Sequence, residues 1–153
     1  MECEIKWNAG DGISFRAKTG SGHLITLDTA KDVAGPTTGP RPMEAFLVGA
    51  VACTQYDLVA GIKQAGGILH SCKASASGVR SENSPKIFTE ISVHFSIESD
   101  NISCKVVQQI LDDSREVHGS AMKMLGKTAD ILFDFDLLSS DSLHQLQSNK
   151  TKK

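Results

Sequence analysis

The stretch Gly39–Val59, GPRPMEAFLVGAVACTQYDLV, puts one cysteine, Cys53, inside the most apolar segment of the chain. A cysteine there is either a small hydrophobe packed in a core helix or a thiol with chemistry. The thiolate is the reactive form; a free thiol ionises near a pKa of roughly 8.5, burial raises that value and a nearby cation lowers it. Cys53 lies about ten residues inside the helix predicted around it, beyond the first turn where the helix dipole acts. Asp57 stands one turn further on the same face, and its charge opposes a thiolate if it points at the sulfur. Activation therefore needs a cation from elsewhere, and Arg16, Arg41, Arg115 and Lys63 are candidates. Glu44 precedes Cys53 by nine residues. At about 100° and 1.5 Å per residue the two point to opposite sides of one straight helix, about 13 Å apart. A site holding both needs two chains; otherwise Glu44 is a first-turn carboxylate favoured by the helix dipole.

Three further cysteines, Cys3, Cys72 and Cys104, form no CxxC pair with one another or with Cys53, and none has a histidine at zinc-finger spacing. No metal site and no cofactor are expected. Packing or simple exposure accounts for Cys72, on a predicted strand, and Cys104, at a predicted helix start. Trp7 and the phenylalanines are expected in the core.

The elements that must position Cys53 follow from periodicity. Residues 2–7, 12–17 and 22–27 predict three strands, with turns at Gly10-Asp11-Gly12 and Gly20-Ser21-Gly22. Residues 28–42, rich in Gly, Pro and Thr, predict a loop ending with Pro42 at a first helical position. A long helix is predicted from Met43 to about Ala65, apolar nearly all round and closed by Gly66-Gly67. Such a helix belongs in a core or an interface, and close approach of another backbone would explain Gly49 and Gly61. Residues 68–79 and 87–97 predict two strands. Ile87, Ile91, Val93, Phe95 and Ile97 share one face of the second strand; Glu90, Ser92, His94 and Ser96 share the other. Helices over 103–116 and 120–125 and a last strand over 131–138 follow. The order βββ–α–ββ–αα–β predicts an α+β fold of antiparallel sheets around a long central apolar helix. The N-terminal meander is too small to close a core alone, which predicts a dimer covering two such helices with strands from both chains. Residues 1–138 read as a single domain and 139–153 as a flexible tail.

The 153 residues suffice for one core, with 40% hydrophobic and 22% charged residues. A net charge of -2 leaves no electrostatic footprint for nucleic acid. No apolar run is expected to reach the roughly 18 residues needed to cross a membrane. The charged start, MECEIKWNAG, does not read as a secretory leader, so the cytoplasm is expected, where thiols stay reduced.

The cysteine segment resembles the first active-cysteine motif of the OsmC/Ohr superfamily, in its OsmC-like branch G-P-x-P-x-E, an apolar run, then G-x-C-T-x-x-D-V. Gly39, Pro40, Pro42, Glu44, Cys53, Thr54 and Asp57 stand in that register. GHLITLD, Gly22–Asp28, resembles the family's third strand, and SREVHGSAMKMLGKTADI, Ser114–Ile131, resembles its second motif, S-x-E-K-Y-C-x-V followed by M-L-x-K-T-A. The likeness covers about residues 3–137. It implies an intertwined homodimer around two central helices, and reduction of organic hydroperoxides by a cysteine pair. The first cysteine becomes a sulfenic acid, the second resolves it, and an external dithiol resets the site.

The resemblance breaks at the second motif. His118 stands where the family has Tyr, and Gly119 where it has the resolving cysteine. Met43 occupies the place of the Ohr glutamate, so Glu44 matches only the OsmC-like pattern. His118 could donate a hydrogen bond or a positive charge to Cys53, and Cys104 could substitute as resolver. The expected function is thus a one-cysteine peroxidase acting on an organic hydroperoxide with an external thiol or dithiol. The alternative is a non-peroxidase relative that binds a small apolar or electrophilic ligand, with Cys53 structural or differently reactive.

Overall fold

The computed structural model describes residues 1–7, 12–29 and 38–140. The chain forms two compact units, Met1–Gly49 and Ala50–Lys153.

In the first unit, β1 (Cys3–Lys6), β2 (Phe15–Thr19) and β3 (Leu24–Leu27) form the expected antiparallel meander. Cys3 pairs with Thr19 and Phe15 with Leu27. The β2–β3 turn needs Gly22, whose φ of 89° is open to glycine and strained for other residues. Of the predicted Gly10-Asp11-Gly12 turn, residues 10 and 11 lie outside the described residues, as do 30–37 of the predicted loop. Asp28 closes that loop: its carboxylate accepts the backbone N–H groups of Thr29 at 2.7 Å and Thr38 at 2.8 Å, and the Thr38 hydroxyl at 3.0 Å. These bonds, that from the Thr38 N–H first, hold its carboxyl below the usual range. Gly39 then runs so close to the Thr26 carbonyl that no Cβ fits. Trp7 is 57% exposed and Phe46 50%, which corrects the expectation that both are core.

Helix α1 (Pro42–Gln64) begins at Pro42, the first helical position expected of it, and ends one residue before the predicted Ala65. Glu44 caps it: its Oε2 accepts the Arg41 N–H at 2.9 Å, the glutamate half of a capping box, with Pro42 at the first helical position. The helix ends where Gly66, at a φ of 83°, lets the Gly66 and Gly67 N–H groups reach the carbonyls of Lys63 and Ile62. By length and composition α1 reaches what a membrane-spanning helix needs, with a mean hydropathy of 1.5, so the expectation that no segment does so is corrected. Leu58 and Ile62 of this helix are wholly buried, whereas Phe46, Val48 and Tyr56 are exposed.

In the second unit the sheet runs β4 (Ile68–Arg80), β5 (Phe88–Asp100), β6 (Asp130–Leu138), with β5 central. β4 and β5 pair antiparallel, whereas β5 and β6 pair parallel. The expectation of wholly antiparallel sheets is therefore corrected. The physical reason is the crossover through α2 (Cys104–Asp113), a π-helical turn (Ser114–His118) and α3 (Ser120–Leu125), which lets the chain enter β6 in the direction of β5. Ile91, Val93, Phe95 and Ile97 are buried as expected, and Phe95 meets Phe133 of β6 edge to face with ring centroids 6.1 Å apart. Ile87 is not on that face; Phe88 is. Arg80 pairs with Phe88 but Val79 with Glu90, so Thr89 is an extra residue and the alternation changes phase there.

Ser103, read as the first helical residue, is instead the N-cap of α2, its hydroxyl accepting the Val106 N–H at 3.4 Å. The predicted helix over 103–116 is α-helical only to Asp113. Gly61 of α1 makes room for Ile110 of α2: a Cβ at 61 would stand 2.7 Å from Ile110 Cγ2. The close approach is thus by a side chain. At Gly49 a Cβ would meet nothing within 4 Å.

At the end of the sheet, Asp100 accepts the Ser140 N–H at 2.9 Å and its hydroxyl at 2.8 Å, and stands 2.9 Å from His70 Nε2. These bonds, the Ser140 N–H first, lower its pKa from 3.8 to about 2. A carboxyl whose folded pKa is depressed stabilises the fold above its unfolded value and loses that contribution as pH falls through the folded one. Asp100→Ala should therefore lower the melting temperature near neutral pH, and the gap from wild type should shrink between pH 3.8 and about 2, as thermal denaturation at a series of pH values would show.

Candidate active site

Cys53 sits at mid-helix in α1 and is exposed in the single chain. It opens onto a cleft of about 340 Å³. One wall is α1, through Ala52, Cys53, Tyr56 and Asp57; the other is the end of the π-helical turn and the start of α3, through His118, Gly119 and Ser120. The structure thus brings together the two regions whose motifs were singled out in the sequence.

The second wall is held by Ser114. Its hydroxyl donates to Asp57 Oδ2 at 2.7 Å, and the serine is 1% exposed. Its carbonyl accepts the Gly119 N–H at 2.6 Å, five residues on, which closes the π-helical turn. Gly119 is buried, and a Cβ there would overlap the Ser114 carbonyl oxygen. A cysteine at 119 would therefore require the turn to open first. The Asp57–Ser114 bond, Tyr56 and Ser120 were not found by sequence reasoning. The spacing of Asp57 one turn from Cys53 signalled the first, but only the fold shows that its carboxylate takes a serine rather than facing a thiol alone.

Glu44 is engaged locally. Its Oε1 accepts Arg41 Nε at 2.9 Å and Nη2 at 2.6 Å, while its Oε2 takes the Arg41 N–H. The Arg41 side chain first, then the backbone bond, hold the Glu44 carboxyl below its ordinary range. Arg115 lies 3.1 Å from Glu116 and 3.5 Å from Asp112. Lys63 is in the last turn of α1 and Arg16 is on β2. Of the charged or ionisable side chains beside Cys53, the cleft wall in this unit carries Tyr56, Asp57 and His118.

Neither Cys72 nor Cys104 lines this cleft. Cys72 is half-buried on β4, where desolvation raises its pKa, and its carbonyl accepts Gln55 Nε2 at 2.8 Å. Cys3 and Cys104 are exposed at the starts of β1 and α2. Among the described residues no group of three or more His, Cys, Asp or Glu side chains is arranged to hold a metal ion. Thr54, next to Cys53 but wholly buried, has a hydroxyl with no hydrogen-bond partner.

Gly119→Ala tests the tight turn. Overpacking of this kind typically costs about 1–3 kcal/mol, so the variant should unfold at lower denaturant concentration than wild type. An unchanged midpoint would mean that the turn yields freely.

A thiol in a cleft built by the two motif regions invites comparison with known proteins. Protein YhfA of Escherichia coli (strain K12) is 28% identical over 141 residues, covering 92% of this chain and all of that one. An OsmC-like protein from Mycoplasma pneumoniae shares the fold with a TM-score of 0.74 at 22% identity, over 90% of this chain and 96% of that one. The organic hydroperoxide resistance protein OhrB of Bacillus subtilis shares it with a TM-score of 0.58 at 17% identity, over 89% and 98%. The OsmC-like protein family matches residues 35–132, a span running from the approach to α1 into β6 and taking in both walls of the cleft, and the chain belongs to that family.

Proposed function

We propose that this protein is a one-cysteine thiol peroxidase for organic hydroperoxides, with Cys53 as the nucleophile. The observation that carries the reading is the exposed Cys53 thiol in a cleft whose facing wall presents His118 and no second thiol. Membership of the OsmC-like family supports a peroxiredoxin-like role at family level, and the Bacillus protein of the same fold is named for hydroperoxide resistance.

The chemistry balances with an external thiol. The Cys53 thiolate attacks the outer oxygen of ROOH; the S–O bond forms, the O–O bond breaks, and the alkoxide leaves as ROH after taking a proton. In this reading His118, on the facing wall, gives that proton. The resulting sulfenic acid has no cysteine in its cleft, so a small external thiol attacks it, forming a mixed disulfide and water. A second thiol, or the other arm of a dithiol, then releases the thiolate and the oxidised reductant. Such a cycle suits the cytoplasm, where thiols are kept reduced. An organic rather than inorganic peroxide suits a cleft beside an apolar helix, because the ligand must be desolvated.

The working protein in this reading is a homodimer of a single OsmC-like domain over residues 1–138. α1 leaves Val48 66% and Tyr56 74% exposed, with Phe46 on the same helix and open space at Gly49, an apolar surface that needs a cover. A second copy also gives Glu44 its supporting role, at the site of the other chain. Sedimentation should find a dimer at micromolar concentration and Val48→Glu should shift it towards monomer; a monomeric wild type would refute the dimer.

A second reading is favoured by the cleft wall in this unit, which carries no arginine or lysine among the described residues. In it the protein binds a small apolar or electrophilic ligand without peroxide turnover. One experiment separates the two. With a thiol reductant present, wild type should consume cumene hydroperoxide and yield a trappable Cys53 sulfenate, Cys53→Ser should do neither, and His118→Ala should be slower by about 10²-fold or more. Equal consumption by wild type and Cys53→Ser would sink the peroxidase reading.

A further inference from the structure

We infer that Asp57 and Ser114 form a positioning pair that sets the wall carrying His118 against Cys53; this rests on the reading of Cys53 as the reacting thiol. Asp57 is on the same helix as Cys53, one turn on, so whatever it grips is placed in the frame of the thiol. What it grips is the first residue of the π-helical turn, through the 2.7 Å bond from the Ser114 hydroxyl. That serine is buried, which shields its end of the bond from water.

The same serine closes the far end of the turn by accepting the Gly119 N–H at 2.6 Å, and His118 lies between Ser114 and Gly119, the two ends so joined. A π-helical turn is rarer and less regular than an α-helical one, and frequently marks a functional site. Here it interrupts a helix that sequence periodicity alone would have continued to Glu116. It carries His118 and Gly119 into the cleft, and the missing side chain at 119 is what lets it close on the Ser114 carbonyl. Asp57 also lines the cleft, but its Oδ2 is taken by the serine. Neither residue is assigned a step in the reaction; both act through the turn.

The test is the pH profile of Cys53 alkylation by iodoacetamide in the full-length protein, followed on the Cys53 peptide by mass spectrometry, beside cumene hydroperoxide consumption. Ser114→Ala should move the profile as His118→Ala does, the two together should move it no further than either alone, and Ser114→Thr, which keeps the hydroxyl, should restore it. Peroxide consumption should fall by about tenfold or more in Ser114→Ala, since small misplacements of reacting groups can cost up to about 10²-fold. Asp57→Asn keeps an acceptor oxygen and should shift the profile the same way but less, which supplies a reading if Ser114→Ala does not fold. A lower melting temperature with an unmoved profile would show the pair to be merely structural and overturn the inference, as would additive effects of Ser114→Ala and His118→Ala. If wild type consumes no hydroperoxide while the profiles still merge, the positioning role stands and the peroxidase reading falls.

Discussion

A single buried serine joins the two walls of the cysteine cleft. Ser114 gives its hydroxyl hydrogen to Asp57 of α1 and its carbonyl to the Gly119 N–H, so one residue links the long helix to the turn that faces it. Removing either partner of such a pair leaves a polar atom without its bond, which costs about 1–3 kcal/mol when buried. The glycine belongs to the same arrangement. With a Cβ at 119 the carbonyl of Ser114 could not stand where it does. The turn is therefore tight because the residue at 119 is small, and the cleft has its shape because the turn is tight.

The sheet beneath supplies the rigidity that this arrangement needs. β5 is paired on both sides and buries Ile91, Val93, Phe95 and Ile97. The chain then leaves β5, crosses through α2, the π-helical turn and α3, and returns as β6 parallel to it. A parallel return demands a long crossover, and here the crossover is the element that walls the cysteine cleft. Topology and site are thus one feature.

α1 has two sides with different fates. Ala50, Val51, Thr54, Leu58 and Ile62 are buried. Phe46, Val48 and Tyr56 are exposed although apolar or aromatic, and Cys53 opens on the cleft. Burial of Thr54 leaves its hydroxyl without a partner, and nothing else in the structure explains the choice of threonine there. The two glycines of the helix also differ. Gly61 is filled by Ile110, whereas Gly49 faces open space.

Local physics was legible in the residues themselves. Alternation marked the buried face of β5, Ser103 marked the start of α2, Gly66-Gly67 marked the end of α1, and Pro42 with Glu44 marked its beginning, because caps, turns and periodicity act over a few residues. The cysteine segment was legible as well, since its motif is contiguous in the chain. The parallel pairing of β6 was not, because strand direction depends on the path of residues 101–129 through space. Nor was the phase change at Thr89, which a one-residue bulge sets between two strands. The π-helical turn escaped periodicity because an extra residue per turn is stabilised from outside the helix, by Asp57, far away in sequence. The exposure of Cys53, the engagement of Glu44 with Arg41 and the grip of Asp57 on Ser114 are contacts rather than patterns, and only the folded chain decides which polar group meets which.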